Sequence, residues 1–293
     1  MKHLTLQALI QELQKQSHYR AADYAELESR IGESHLRSRL MRQLQLYNVH
    51  RSGFEKKCRK FFRRTYRKLI VWGLWSLGQL ANARQEARSP EWVEESWVFE
   101  DLPGAFDGYR ILQLSDFHFD FISELPEIIK TKIANHHFDC CVLTGDYRGE
   151  TTGPYEESLD QLKEIRPYLG ENVFAVLGNH DNVEIVLSMQ EMEIQVLMNQ
   201  MIPLKHKGGE IKMAGIDDPH FYQTHDLSFL HSQVEAFVLL LSHSPESWKD
   251  AEAAKINLQL SGHTHGGQIC LPGGVPVICH LHDCPGSMIK GRW

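Results

Sequence analysis

The stretch YRILQLSDFH, residues 109–118, decides the fold. A short apolar run, Tyr109 to Ser115, stops abruptly and gives way to Asp116 and His118. The same grammar returns in DCCVLTGDYR (139–148), NVFAVLGNHD (172–181), AFVLLLSHSP (236–245) and NLQLSGHTHGGQ (257–268). Short apolar runs bounded by glycine or polar clusters read as buried strands. Between them lie segments with helical periodicity: 122–137 with Pro126 near its start, 155–168, 183–192 and 246–254. Shorter strands are expected near 194–197, 202–205 and 211–216. Alternation of this kind predicts an α/β domain whose central strands are covered on both faces.

In an α/β sheet the carboxyl ends of the strands form the ligand crevice. Five exits carrying Asp, Asn and His should therefore converge at one edge. Asp116 and His118 stand two apart in an extended exit, as do His263 and His265, so each pair can face one way. The residue types are hard or borderline donors suited to Mn, Fe, Zn or Mg. Together they suffice for two divalent metal ions a few ångström apart with one carboxylate between them.

Residues 1–90 carry 18 Lys and Arg against 7 Asp and Glu, a balance of +11; the remaining 13 against 31 give residues 91–293 a balance of −18. The acidic part cannot attract a phosphate by bulk charge, so bound cations or a local arginine must do so. Arg148, just past Asp146, is a candidate bidentate donor to a substrate phosphate; its alternative is a surface salt bridge. The basic part suits an anionic partner, membrane surface or nucleic acid.

Residues 1–90 read as a helical N-terminal region. Leu6, Leu9, Ile10 and Leu13 recur at helical spacing, as do Leu36, Leu40, Leu44 and Tyr47, giving one or two amphipathic helices with a break at Gly32. The pattern runs to about Ala87 and ends at Ser89-Pro90. Basic residues from Arg51 to Lys68 precede the apolar run LIVWGLWSLGQLA, 69–81. That run is too short to span a membrane, but segment 54–81 suits a helix lying in a membrane interface. Two other readings are a core-docking helix and a twin-arginine export signal over 63–83. Cys140 and Cys141 lie inside an apolar run, and the six cysteines suit a reducing compartment. Cys279 to Cys284 can be drawn as a zinc site.

The motifs Asp116-x-His118, Gly145-Asp146, Gly178-Asn179-His180-Asp181, His243 and Gly262-His263-Thr264-His265 resemble the calcineurin-like metallophosphoesterase family, over about residues 108–270. The resemblance implies a two-sheet αββα sandwich over 91–293, preceded by the α-helical N-terminal region. It implies one metal on Asp116, His118 and His265, a second on Asn179, His243 and His263, and Asp146 bridging both. His180 would then be catalytic rather than a ligand, with Asp181 orienting its ring. The implied activity is hydrolysis of a phosphodiester or pyrophosphate; the alternatives are a nucleic-acid phosphodiesterase and a non-catalytic scaffold. The GHTHGGQ ending, the short GDY and the upstream basic, apolar segment are similar to a bacterial, membrane-attached branch, which includes enzymes like UDP-2,3-diacylglucosamine pyrophosphatase of lipid A synthesis. That likeness implies a lipid-linked substrate, a cytoplasmic protein peripheral at the inner membrane, and an approach lined by Trp72, Trp75, Trp92 and Trp97. The family continues further past its His-x-His loop than Trp293, so a C-terminally short domain with a sheet edge near 267–279 is expected.

Overall fold

A computed structural model describes residues 4–15, 21–49, 65–66, 68–230, 236–267, 270–271, 275–276, 281–282 and 284–293. Most of the basic block from Arg51 to Arg67, and the Arg63-Arg64 pair, lie outside these residues. So do Cys58 and, from the zinc reading over Cys279 to Cys284, Cys279, His280 and Asp283.

Two four-stranded sheets form the centre. The first holds β1 (Ile111–Leu114), β2 (Cys140–Leu143), β3 (Val173–Ala175) and β4 (Gln195–Val196), all parallel in chain order. The second orders β5 (Gln200–His206), β6 (Gly209–Gly215), β7 (Val238–Leu241) and β8 (Leu258–Leu260); β5 and β6 form a hairpin, and β6, β7 and β8 run parallel. Alternation along β2 shows the layering. Cys140 and Val142 pack between the sheets with Phe174, Met213 and Leu239. Cys141 and Leu143 face the helices with Leu159, Leu162 and Val186. Ala214, Val238, Leu240 and Ala251 cover the outer face of the second sheet. The result is the expected two-sheet sandwich with helices outside. β9 (Cys270–Leu271) and β10 (Val275–Pro276) form a small antiparallel ribbon, so the described residues near the expected sheet edge pair with one another.

Among the described residues up to Val49 there are three helices rather than the one or two expected. α1 (Leu6–Gln14) starts on Thr5, whose hydroxyl caps the amide of Ala8 at 3.3 Å. α2 (Ala21–Ile31) and α3 (Glu33–Val49) meet at Gly32, which takes a φ of 82°, a left-handed turn that glycine adopts without strain. Leu6, Leu9, Leu13, Tyr24, Leu27, Leu36, Leu40 and Leu44 are buried in the same apolar cluster as β1, β2 and β3. At about 1.5–3 kcal/mol per buried side chain, their burial is a large gross term tying these helices to the sheets. No packing boundary falls between these helices and the sheets.

The next helices differ. α4 (residues 68–76) and α5 (Leu80–Glu86) bury no side chain. Leu69, Val71, Trp72, Trp75 and Leu77 are exposed, so the core-docking alternative for this segment does not hold. Trp92 instead stacks on His136, with ring centroids 3.5 Å apart, and Trp97 packs beside Phe99 and under Arg292. No helix among the described residues is long and apolar enough to cross a membrane. α6 (Leu125–Ile133), α7 (Glu156–Ile165), α8 (Ile185–Glu191) and α9 (Trp248–Ala253) complete the layers.

Candidate metal centre

The parallel ladders do not stop at the strand ends. Asp116 donates its amide to Gly145 O at 3.0 Å, His118 to Asp146 O at 3.1 Å, and Gly262 to His243 O at 2.8 Å. These bonds stitch the exit of β1 to that of β2 and the exit of β7 to that of β8; Asp181 after β3 joins the first pair through the Asp146 amide, and His243 Nδ1 meets Thr144 O across the two pairs. Five of the expected donors, Asp116, His118, Asp146, His263 and His265, have φ between 43° and 69°. Left-handed backbone costs a non-glycine residue about 1–2 kcal/mol, and such strain clusters at functional sites. It is held by close backbone approach: a Cβ on Gly178 would strike Asp146 Oδ1 and the Asp146 amide.

Two clusters result. In one, Asp116, His118 and His265 offer donor atoms within 4.8 Å of one another; in the other, Asp146, His243 and His263 do. His118 Nε2 and His265 Nε2 face each other at 3.2 Å, and His265 Nε2 lies 3.3 Å from Asp116 Oδ1. Two imidazole nitrogens about 2.1 Å from a shared ion sit at about that spacing. In the second cluster, His263 Nδ1 lies 3.2 Å and Asn179 Oδ1 3.0 Å from His243 Nε2. Asp146 stands between the clusters, with Oδ2 3.3 Å from His243 Nε2 and 3.8 Å from His118 Nε2.

The surroundings fit metal donors. His118 Nδ1 lies 2.9 Å from Arg148 O and His243 Nδ1 2.7 Å from Thr144 O, which fixes the proton on Nδ1 and leaves Nε2 as the donor. Burial, and then the neighbouring His243, push the His263 ring down to about 2, so it is a neutral imidazole; its buried Nε2 has no hydrogen-bond partner. Burial alone would raise the Asp146 carboxyl, but the His243 and His180 rings outweigh it and hold it well below the usual carboxylate range. Burial would lower His243, but Asp146 overrides it and pushes the ring up to about 10. A pocket that retains a proton against burial is one that favours a cation.

Two expected roles differ. Arg148 is buried and spends its guanidinium on the chain itself: Nε on His180 O at 2.7 Å, Nη1 on Gly153 O at 3.0 Å, and Nη2 on Thr151 O and Asn182 Oδ1 at 2.8 and 2.7 Å. A fork so committed holds the loop and offers nothing to a phosphate. Asp181 does not orient the ring of His180, whose Nδ1 meets Gly149 O. Its carboxylate instead takes the amides of Gly178, Asp146 and Tyr147 at 2.7, 2.8 and 3.0 Å. His180 lies outside both donor clusters, with Nε2 3.9 Å from Asp146 Oδ2.

The sequence reading missed a sixth exit. β6 leads into Asp217-Asp218-Pro219-His220, a polar cluster ending an apolar strand like the other five. The Asp218 carboxylate takes the amides of His220, Phe221 and Tyr222. The His220 ring lies 4.2 Å from that of His263, and its Nδ1 meets Glu246 at 2.9 Å.

Comparison with known proteins gives the family. The calcineurin-like phosphoesterase family model matches residues 109–267. The chain is 30% identical to metallophosphoesterase YkoQ of Bacillus subtilis over 62% of its own length and 70% of that protein's. It is 29% identical to metallophosphoesterase YkuE of the same organism, over 75% and 80%. It is also 28% identical to a transmembrane protein with a metallophosphoesterase domain from Danio rerio, over 77% of this chain but only 55% of that one. Matched by the family model over more than half its length, the chain belongs to the calcineurin-like phosphoesterases and is a metal-dependent phosphoester hydrolase.

Proposed function

We propose that this chain uses two divalent ions to hydrolyse a phosphodiester or diphosphate bond, with a lipid-linked nucleotide sugar at an anionic membrane surface as its substrate class. One observation carries the reading: the buried Asp146 carboxylate stands between two donor clusters. In this reading Asp116, His118 and His265 hold one ion, Asn179, His243 and His263 the other, and Asp146 both. When bound, such ions supply a deprotonated water and neutralise the charge building on the phosphoryl oxygens.

The chain's own groups do the rest. Gly149 O holds His180 Nδ1 and so turns Nε2 toward the centre, where it hydrogen-bonds a phosphoryl oxygen or protonates the leaving oxygen. Asp181 fixes the backbone that carries both Asp146 and His180. Asn179 Oδ1 meets His243 Nε2 at 3.0 Å.

The membrane element rests on α4. Leu69, Val71, Trp72, Trp75 and Leu77 are exposed, directly after a run rich in Lys and Arg. Apolar side chains beside a cationic run suit an anionic interface. The Danio rerio relative, named as a transmembrane protein, gives this reading some support. A nucleic-acid phosphodiesterase shares the ion chemistry, and the aliphatic Leu69, Val71 and Leu77 exposed beside the tryptophans suit a lipid surface better than stacked bases.

His180→Ala should keep both ions by plasma mass spectrometry and lose about 100- to 10,000-fold in turnover of bis-p-nitrophenyl phosphate. An unchanged rate removes the proton-transfer role. The full chain should float with phosphatidylglycerol vesicles and not with phosphatidylcholine alone, and Trp72→Ser with Trp75→Ser should abolish flotation. Retention of DNA in moderate salt, without flotation, would favour the nuclease reading. Cleavage of a UDP-linked lipid measures the finer substrate class.

A further inference from the structure

We infer that Arg39, on α3 and far from the motif residues in sequence, is a positioning residue of the catalytic centre, tying together two site loops that arise from different sheets. Its side chain is completely buried. Nη2 donates to the main-chain oxygen of Asp181 at 2.8 Å, in the loop after β3 that carries Asn179 and His180. Nη1 donates to Asp217 Oδ1 at 2.8 Å, in the loop after β6. The guanidinium lies on the ring of Tyr222, 3.3 Å from its centroid.

The two hydrogen bonds lead to the centre, one in a single step through Asp181 and the other in three through Asp217. The Asp181 carboxylate holds the amides of Gly178 and Asp146. Asp217 Oδ1 takes the amide of Asp218, whose carboxylate holds the amide of His220, and the His220 ring packs on His263. One guanidinium therefore links the loop bearing Asn179 and His180 to the loop packed on His263. Its planar fork reaches both acceptors at once, which an ammonium cannot do.

Stability alone does not explain the residue. Arg39 interrupts an apolar stripe of Leu36, Leu40 and Leu44, and its Nε is buried with no hydrogen-bond partner. Replacing a buried ion pair by apolar side chains of similar volume is often neutral or stabilising. A desolvated cation here is accounted for by what it holds in place.

The test rests on the hydrolase reading, so wild-type turnover of bis-p-nitrophenyl phosphate is measured first. Arg39→Lys keeps the charge and gives up the fork. It should fold with full metal content and an unchanged KM, and lose roughly 10- to 100-fold in kcat, the scale of a misplacement of about 1 Å. Millimolar guanidinium should restore part of the kcat of Arg39→Ala without changing that of the wild type. An imidazole ¹⁵N spectrum reads the same displacement without turnover: the His180 signal should move in Arg39→Lys and that of the remote His137 should not. A folded lysine variant with wild-type kcat and an unmoved His180 signal overturns the inference. So does a lysine variant that fails to fold, because the guanidinium then serves the fold as a whole.

Discussion

Asp181 takes the main-chain amide of Asp146 on its carboxylate at 2.8 Å, buried, across 35 positions of sequence. The same carboxylate takes the amides of Gly178 and Tyr147. It therefore shapes the turn that gives Asp146 its left-handed backbone. Asp181→Asn keeps one accepting oxygen but turns an NH2 group toward at least one of the three amides, because two of them share one carboxylate oxygen and the third uses the other. The cost of burying unmatched donors is about 1–3 kcal/mol each, so the variant should melt several degrees lower and bind Mn²⁺ at least tenfold more weakly by calorimetry. A variant that differed only in kcat would show Asp181 acting through the His180 ring after all.

Arg148 separates two readings of one residue. As a phosphate ligand, its removal would raise KM and leave the melting temperature alone. As the brace described here, Arg148→Ala orphans the carbonyls of His180, Thr151 and Gly153, at about 1 kcal/mol or more apiece. The expected result is a lower melting temperature, a lower kcat and a KM within about twofold of wild type.

Acid stability should depend on Asp217. Burial by itself would raise this carboxyl, but the Arg39 guanidinium and the His35 ring outweigh it and hold it well below the usual carboxylate range. A depressed folded-state value means that the contribution is fully present above the unfolded value of about 3.9. It is lost as pH falls through the lower folded value. The stability gap between wild type and Asp217→Asn in urea should be constant from pH 7 to about 5 and narrow steadily below about 4. A gap that widened on acidification would contradict the sign.

Much of this was legible in the sequence because strand exits are local features. The run from Tyr109 to Ser115 contains β1, and Asp139 to Thr144 contains β2. Each exit ends in the polar residues that the sandwich brings together. What escaped was long-range. Arg148 follows Asp146 in sequence and looks like a phosphate ligand, but only the folded loop shows its nitrogens committed to carbonyls. The docking of the N-terminal helices onto the sheets was not legible, because an amphipathic stripe does not name the surface it covers. Their buried stripe, Leu36, Leu40 and Leu44, carries Arg39 and Gln43 on the same face. Polar residues in such a stripe signal buried partners, here Asp217 and Glu184, which only the fold identifies. Asp217 and His220 follow the strand-exit rule and could have been found by applying it to β6.

The central claim is that Asp146 is shared by two ions. Metal analysis of the purified full chain beside Asp146→Asn, after dialysis against Mn²⁺, tests it most directly. Two equivalents in the wild type and loss of both in the variant is the expected result. One ion or none in the wild type, or two retained by the variant, would contradict the account.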